Sequence, residues 1–308
     1  MKPAAPAKTR SRLRALALLA ILFALLGYVA LPHLRGRFRR ALPIRVTTLD
    51  RPSSILPAGS AAPTPPMRTS RRSITAAGLD RSYVVVEPAS LEPQKAYALV
   101  LVFHGDGGDG EGFHRAFPFE RASGSEAILV YPDGIRRGWD LETLWGNREV
   151  ELAVKIIDEL ASRLPIDRAR LFATGYSSGG FLSNVIACHK PGLLRAFTSS
   201  AGGSPYSQAL IWPNGYTKCP GQQPTAMMAL HGEGDFAVPL QSGRWSATYW
   251  AYVNGCTADE METTGYDECH AYRGCPADKA VVWCSVPGLG HWVWDRAAEA
   301  SWTFFARQ

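Results

Sequence analysis

From Ile74 onward, short apolar runs alternate with amphipathic stretches along the chain. Runs of strand length read SYVVVE (82–87), ALVLVF (98–103), AILVY (127–131), RLFAT (170–174), AFTSSA (196–201), AMMAL (226–230) and AVVWCSV (280–286). Between them, REVELAVKIIDELASRL (148–164) places apolar residues at helical spacing and gathers acids early, where the helix dipole favours them. Helices are also predicted over Ser178–Cys188, Ser242–Val253 and Asp295–Ala306. Continuous apolar strands alternating with helices predict a mostly parallel sheet covered by helices on both faces. The first two strands are expected to form an antiparallel edge. Periodicity alone fits several doubly wound folds.

The first 72 residues follow a different pattern. They hold 14 Lys and Arg and a single acid, Asp50, whereas the other 236 hold 19 Lys and Arg and 26 acids. The overall charge of +6 therefore conceals a mildly acidic main domain, which argues against a nucleic-acid partner. Lys2, Lys8, Arg10, Arg12 and Arg14 precede ALALLAILFALLGYVAL, residues 15–31, which carry no charge. That length falls between a signal-peptide core and the shortest membrane-spanning helix, about 17–25 residues. The segment is read as an uncleaved anchor touching the membrane or as a cleaved signal. Either exports the chain to a periplasmic or extracellular location. The domain order expected is a basic segment at 1–14, the anchor or signal helix at 15–31, a Pro/Ser/Ala-rich tether at 32–72 and one folded domain at 73–308.

All six cysteines, Cys188, Cys219, Cys256, Cys269, Cys275 and Cys284, lie in the C-terminal part. An even number in an exported chain points to disulfides. Six thiols allow 15 pairings; Cys269–Cys275 and Cys256–Cys284 are the expected bridges. A zinc site is the rival reading, weakened by the absence of any CxxC pair.

Gly175-Tyr176-Ser177-Ser178-Gly179 follows a predicted strand and opens a predicted helix, the context in which G-x-S-x-G forms a nucleophile elbow. Glycines flank a turn too sharp for side chains, and the helix N-terminus favours developing negative charge at Ser177. A serine hydroxyl needs a base, and the base needs an orienting acid. The elbow order places both after the serine. His291 follows the last strand through the Gly-rich GLGHWVW loop. Among the other histidines, His33, His104 and His114 precede the serine, His189 reads as a helix cap, His231 shapes a loop and His270 sits between cysteines. Asp235 in HGEGDFAVP is the expected acid, with Glu233 as its rival. Ser177, Asp235 and His291 thus form a candidate triad. The amides of Ser178 and of Asp106, in LVFHGDGG, are the candidate oxyanion donors. The acids Asp106, Asp109 and Glu111 alternate as calcium ligands can, without the EF-hand pattern.

With these residues placed, the chain resembles the secreted α/β-hydrolase esterases that include polyhydroxybutyrate depolymerases, feruloyl esterases and acetylxylan esterases. The resemblance spans Ile74 to the C-terminus. It rests on LVFHGDGG, YPDG, IDRARLFATGYSSGG, HGEGDFAVP, YRGCPADKAVVWCSVPGLGHWVW and WTFFARQ. It implies an α/β-hydrolase fold and a serine esterase needing neither metal nor organic cofactor. Two departures are Asp106, where a neutral residue is usual, and NREVEL, where paired aspartates are usual. The implied substrate is a phenolic or short acyl ester of plant polysaccharide. A hydroxyalkanoate polyester is the alternative, and a non-catalytic, surface-tethered binding protein is the reading of another class. Tyr176, Trp145, Trp292 and Trp294 are candidate substrate-binding residues, with Trp139 nearby. Oligomeric state is not readable from the sequence.

Overall fold

The strand β4 (Tyr97–Phe103) is buried at every residue, and its side chains divide between two cores by simple alternation. Leu99, Leu101 and Phe103 pack on one face of the sheet, and Ala98, Val100 and Val102 on the other. This is why the run carries no polar positions: both faces are covered. The computed structural model describes residues 47–52, 54–57, 66–205 and 218–308.

Eleven strands form one sheet among the described residues. In chain order they are β1 (Thr47–Pro52), β2 (Met67–Ala76), β3 (Leu79–Pro88), β4, β5 (Ala127–Pro132), β6 (Ile166–Tyr176), β7 (Ala196–Ser200), β8 (Ala226–Gly232), β9 (Thr257–Thr263), β10 (Cys269–Arg273) and β11 (Val281–Val286). Their spatial order is β1-β9-β10-β11-β8-β7-β6-β4-β5-β3-β2. The block from β11 to β5 is parallel throughout. The helices are α1 (Gly110–Ala116), α2 (Glu120–Ser123), α3 (Arg148–Ala161), α4 (Ser178–His189), α5 (Leu240–Asn254) and α6 (Ala297–Phe305). Buried residues of α3, α4 and α5 join one core and those of α1 and α6 the other, so helices cover both faces. This is the α/β-hydrolase arrangement.

Three expectations need correction. First, residues 32–72 are not all tether. β1 pairs in parallel with β9, and β2 starts at Met67 and pairs with β3. Between them Leu56 is fully buried, and its carbonyl accepts the Gly265 amide at 2.7 Å. Ladder bonds come from the backbone, so TTLDRP joins the sheet without an apolar pattern. Second, the antiparallel edge is β2–β3, with β3 antiparallel to β5; the 98–103 strand lies in the parallel block instead.

Third, the disulfides are Cys188–Cys219, Cys256–Cys275 and Cys269–Cys284. Cys269 and Cys284 are cross-strand partners on β10 and β11, with Cα atoms 4.0 Å apart. Cys275 lies past the far end of β10, so it is carried away from Cys269 and toward Cys256. The Cys269–Cys284 bridge closes a separation of 15 residues. Replacing both by serine is expected to cost about 3 kcal/mol, lowering Tm by roughly 6–12 °C. Calorimetry under non-reducing conditions checks this.

Among the described residues no helix is long and apolar enough to cross a membrane. The anchor or signal expected over 15–31 lies outside the described residues.

Candidate active site

Ser177 sits between β6 and α4 with φ 54° and ψ −121°, a strained left-handed backbone for a residue with a side chain. Neighbours over-determine it. The Ser177 amide donates to Ser200 O at 2.9 Å, and its carbonyl accepts the Phe181 amide at 3.0 Å. The two flanking glycines are required by contact: a Cβ on Gly175 would lie 2.1 Å from Gly179 O, and one on Gly179 would lie 2.3 Å from Phe103 O. The turn therefore presses against the end of β4, where the LVFHGDGG loop begins.

Asp235 lies three residues past β8, buried, with Oδ1 accepting the amides of Ala237 and Val238 at 2.9 Å each. Its Oδ2 is 2.7 Å from His291 Nδ1, and His291 Nε2 is 3.0 Å from Ser177 Oγ. A carboxylate only accepts, so Nδ1 carries the imidazole proton and Nε2 faces the serine hydroxyl as an acceptor. Burial pushes the Asp235 carboxyl upward, but the His291 hydrogen bond and the Val238 amide hold it below the ordinary aspartate range. The rival acid, Glu233, is exposed and accepts from Ser285 Oγ at 2.9 Å instead.

The loop after β4 arches over the elbow: a Cβ on Gly105 would stand 3.2 Å from Ser177 Cβ. His104, buried, braces this loop. The Gly134 amide donates to His104 Nε2 at 3.0 Å, so Nδ1 is the protonated nitrogen and donates to Gly105 O at 2.7 Å. Burial lowers the His104 pKa and keeps the ring neutral. Arg137 adds a second brace, its carbonyl accepting the Gly107 amide at 2.8 Å and its guanidinium reaching Gly108 O and Asp109. Ser178 opens α4, where the first amides of a helix have no intrahelical acceptor, and Asp106 lies in the turn that follows β4. The Asp106 side chain is exposed and leans toward Gly138. Asp109 caps α1 through the Gly112 amide at 2.7 Å, and Glu111 pairs with Arg115. These acids serve the loop rather than a common centre; among the described residues no three metal-ligating side chains converge.

The aromatic candidates separate. Tyr176 lies with its ring centroid 5.1 Å from those of both His291 and Trp292, and its hydroxyl donates to His291 O at 2.8 Å. It therefore holds the histidine loop as well as facing the site. Trp292 is half-exposed and Trp145 exposed. Trp294 is a correction: it is buried, 5.8 Å from Tyr266, with Arg296 over its ring. In GHWVW the chain turns Val293 and Trp294 into the core while Trp292 stays outside.

A cleft of about 450 Å³ is lined by Trp139, Asp140, Leu141, Glu142, Arg148 and Phe181. It lies close to the elbow, since Phe181 is one helical turn beyond Ser177 and Trp139 Nε1 donates to His104 O at 2.8 Å. Trp139 also packs on the His104 ring at 4.5 Å. Sequence reasoning missed this cleft apart from Trp139, because its walls come from a loop and two helices, α3 and α4, without a shared motif. It missed as well the ion pair under that loop, Arg81 Nη2 to Glu149 Oε2 at 2.8 Å, both side chains buried.

Residues 137–208, which run from this cleft through the elbow, match the family described as "Prolyl oligopeptidase family". Over longer stretches the chain is similar to fungal proteins. It is 30% identical to a "Probable feruloyl esterase C" of Aspergillus flavus, covering 73% of this chain and 84% of that one. It is 27% identical to "Feruloyl esterase D" of Neurospora crassa, covering 75% and 83%. Among solved structures, the acetyl xylan esterase of Aspergillus awamori superposes with a TM-score of 0.64 at 20% identity, over 77% of this chain and all of that one.

Proposed function

Because the chain belongs to the feruloyl esterase family of α/β hydrolases and is a serine carboxylic-ester hydrolase, we propose that it is exported and cleaves phenolic or short acyl esters of plant polysaccharide through Ser177, His291 and Asp235. The observation that carries the mechanism is the continuous relay of 3.0 and 2.7 Å from the strained serine through His291 to a buried carboxylate. The prolyl oligopeptidase match spans residues 137–208, from the cleft loop through α3, β6, the elbow and α4, and includes neither Asp235 nor His291, so it does not favour an amide substrate.

The chemistry follows from the atoms. Ser177 Oγ attacks the ester carbonyl carbon as its proton passes to His291 Nε2. Asp235 keeps Nδ1–H directed toward itself and stabilises the imidazolium. The carbonyl oxygen becomes an oxyanion held by the amides of Asp106 and Ser178. The C–O bond to the alcohol then breaks, and Nε2 gives that oxygen its proton. Water repeats the sequence on the acyl-enzyme, releasing the acid and restoring Ser177. Each oxyanion donor of this kind is worth about 2.7–4 kcal/mol.

The substrate class is supported by the relatives' names and by the cleft, whose aromatic and charged walls suit a phenolic ring or a sugar face better than a long alkyl chain. Export is supported by three disulfides, which persist in oxidising compartments. The segment 15–31 would serve as membrane anchor or cleaved signal. Assays on methyl ferulate, acetylated xylan and hydroxybutyrate oligomers test the substrate assignment. One of the first two should exceed the oligomers by at least about tenfold in kcat/KM, the scale of pocket discrimination. Preference for the oligomers would move the enzyme to the polyester depolymerases.

A further inference from the structure

His231 is the penultimate residue of β8, is buried, and lies four residues before Asp235. Its Nε2 stands 2.9 Å from Val238 O and 3.2 Å from Asp235 Oδ2, the same oxygen that His291 approaches from the other side. Both neighbours only accept, so Nε2 carries the proton and shares it between them. Nδ1 is buried with no hydrogen-bond partner and faces α5, where a Cβ on Gly243 would come within 2.4 Å of it. Burial lowers the pKa of this ring, which stays neutral with its single proton on Nε2. The elements around it are β11, which presents the uncharged Trp283, α5, which presents Gly243, and the two loops that carry Asp235 and His291. Asp235 and His291 are thus the charged or titratable groups facing it.

We infer that His231 is a positioning residue for the proposed triad, sharing its Nε2 proton with the Asp235 carboxylate and fixing the Val238 segment that grips the carboxylate's other oxygen. It acts along two routes. Its donation to Val238 O holds the residue whose own amide bonds to Asp235 Oδ1. Its approach to Oδ2 withdraws part of the negative charge that would otherwise stabilise the His291 imidazolium. A ring that only filled space would need no proton on Nε2, and the burial of its Nδ1 without a partner would be a cost with nothing set against it.

The test rests on the triad reading and is built to separate the two. In His231→Leu, kcat should fall about tenfold, the worth of one hydrogen bond to a charged group, with KM within about twofold because no substrate contact is lost. The acidic limb of kcat/KM should move to higher pH, since the unshared carboxylate now favours protonated His291 more strongly. His231→Gln, whose amide reaches the position of Nε2, should restore most of kcat and return the limb. If His231→Leu does not fold, His231→Asn takes its place, because its amide is too short to reach Asp235. Wild-type kcat and pH limb in the leucine or asparagine variant would overturn the inference, as would equal loss in the glutamine variant. A loss of kcat without movement of the limb would assign His231 to structure alone. Ser177→Ala is measured alongside: if it retains turnover, the triad reading has failed, whereas a dead Ser177→Ala beside an unchanged His231→Leu sinks only the inference about His231.

Discussion

Ser177→Ala is expected to lower kcat by about 10⁶-fold, the effect of removing a nucleophile that acts as a unit with its base. That corresponds to about 8 kcal/mol of barrier. Because His291 Nε2 contacts nothing else in the proposed relay but Ser177 Oγ, Ser177→Ala/His291→Ala should be no slower than the single variant. Asp235→Asn keeps the shape but offers an amide where the carboxylate stood, and should cost about 10⁴-fold by favouring the wrong imidazole tautomer. Single-turnover assays with a chromogenic ester read all three. Additive losses in the double variant would mean that the two residues act independently, contrary to the 3.0 Å contact.

The second large effect lies beneath the site. Glu149 lies in the first turn of α3, and its Oε2 pairs with Arg81 of β3 at 2.8 Å, with side-chain exposures of 0% and 2%. Arg81 Nη2 also donates to Asp133 O at 3.0 Å, while Glu149 Oε1 takes Arg148 Nε at 3.1 Å. The pair therefore fastens the loop that carries Trp139 to the sheet, and Trp139 in turn packs on His104. Glu149→Leu leaves the Arg81 guanidinium buried without its counter-charge and should cost about 3–5 kcal/mol, a fall of roughly 6–20 °C in Tm. Arg81→Met/Glu149→Leu removes both charges and should recover most of that loss. Thermal unfolding of the three variants decides; a double variant no better than the single would place the cost in packing rather than in the unpaired charge.

How much of this was readable from the chain depended on where each element sits. The seven strands identified from apolar runs are those with both faces or one full face in a core, β3 to β8 and β11. The sequences of β1 (TTLDRP), β9 (TADEMET) and β10 (CHAYR) carry no such run, since their pairing is carried by backbone bonds and, at Cys269, by a disulfide. The elbow was legible because its constraint is local: two glycines and a strand-to-helix switch within five residues. Asp235 and His291 could be picked by order along the chain, as each follows a late strand. By contrast, Arg81 and Glu149 are 68 residues apart and share no motif. The tryptophans of GHWVW could not be divided by sequence, because a loop has no fixed period to say which side faces inward. His231 stood in the sequence as a loop-shaping residue, and only the distances to Val238 and Asp235 show how it meets the acid.

The central claim is that Ser177 is the nucleophile of a serine esterase, and labelling the folded enzyme with a fluorophosphonate tests it most directly. Peptide mapping by mass spectrometry should find one adduct per chain, on Ser177, with turnover lost in proportion to labelling. A folded protein that stays unlabelled, or that is inactivated by an adduct elsewhere while Ser177 remains free, would contradict the account.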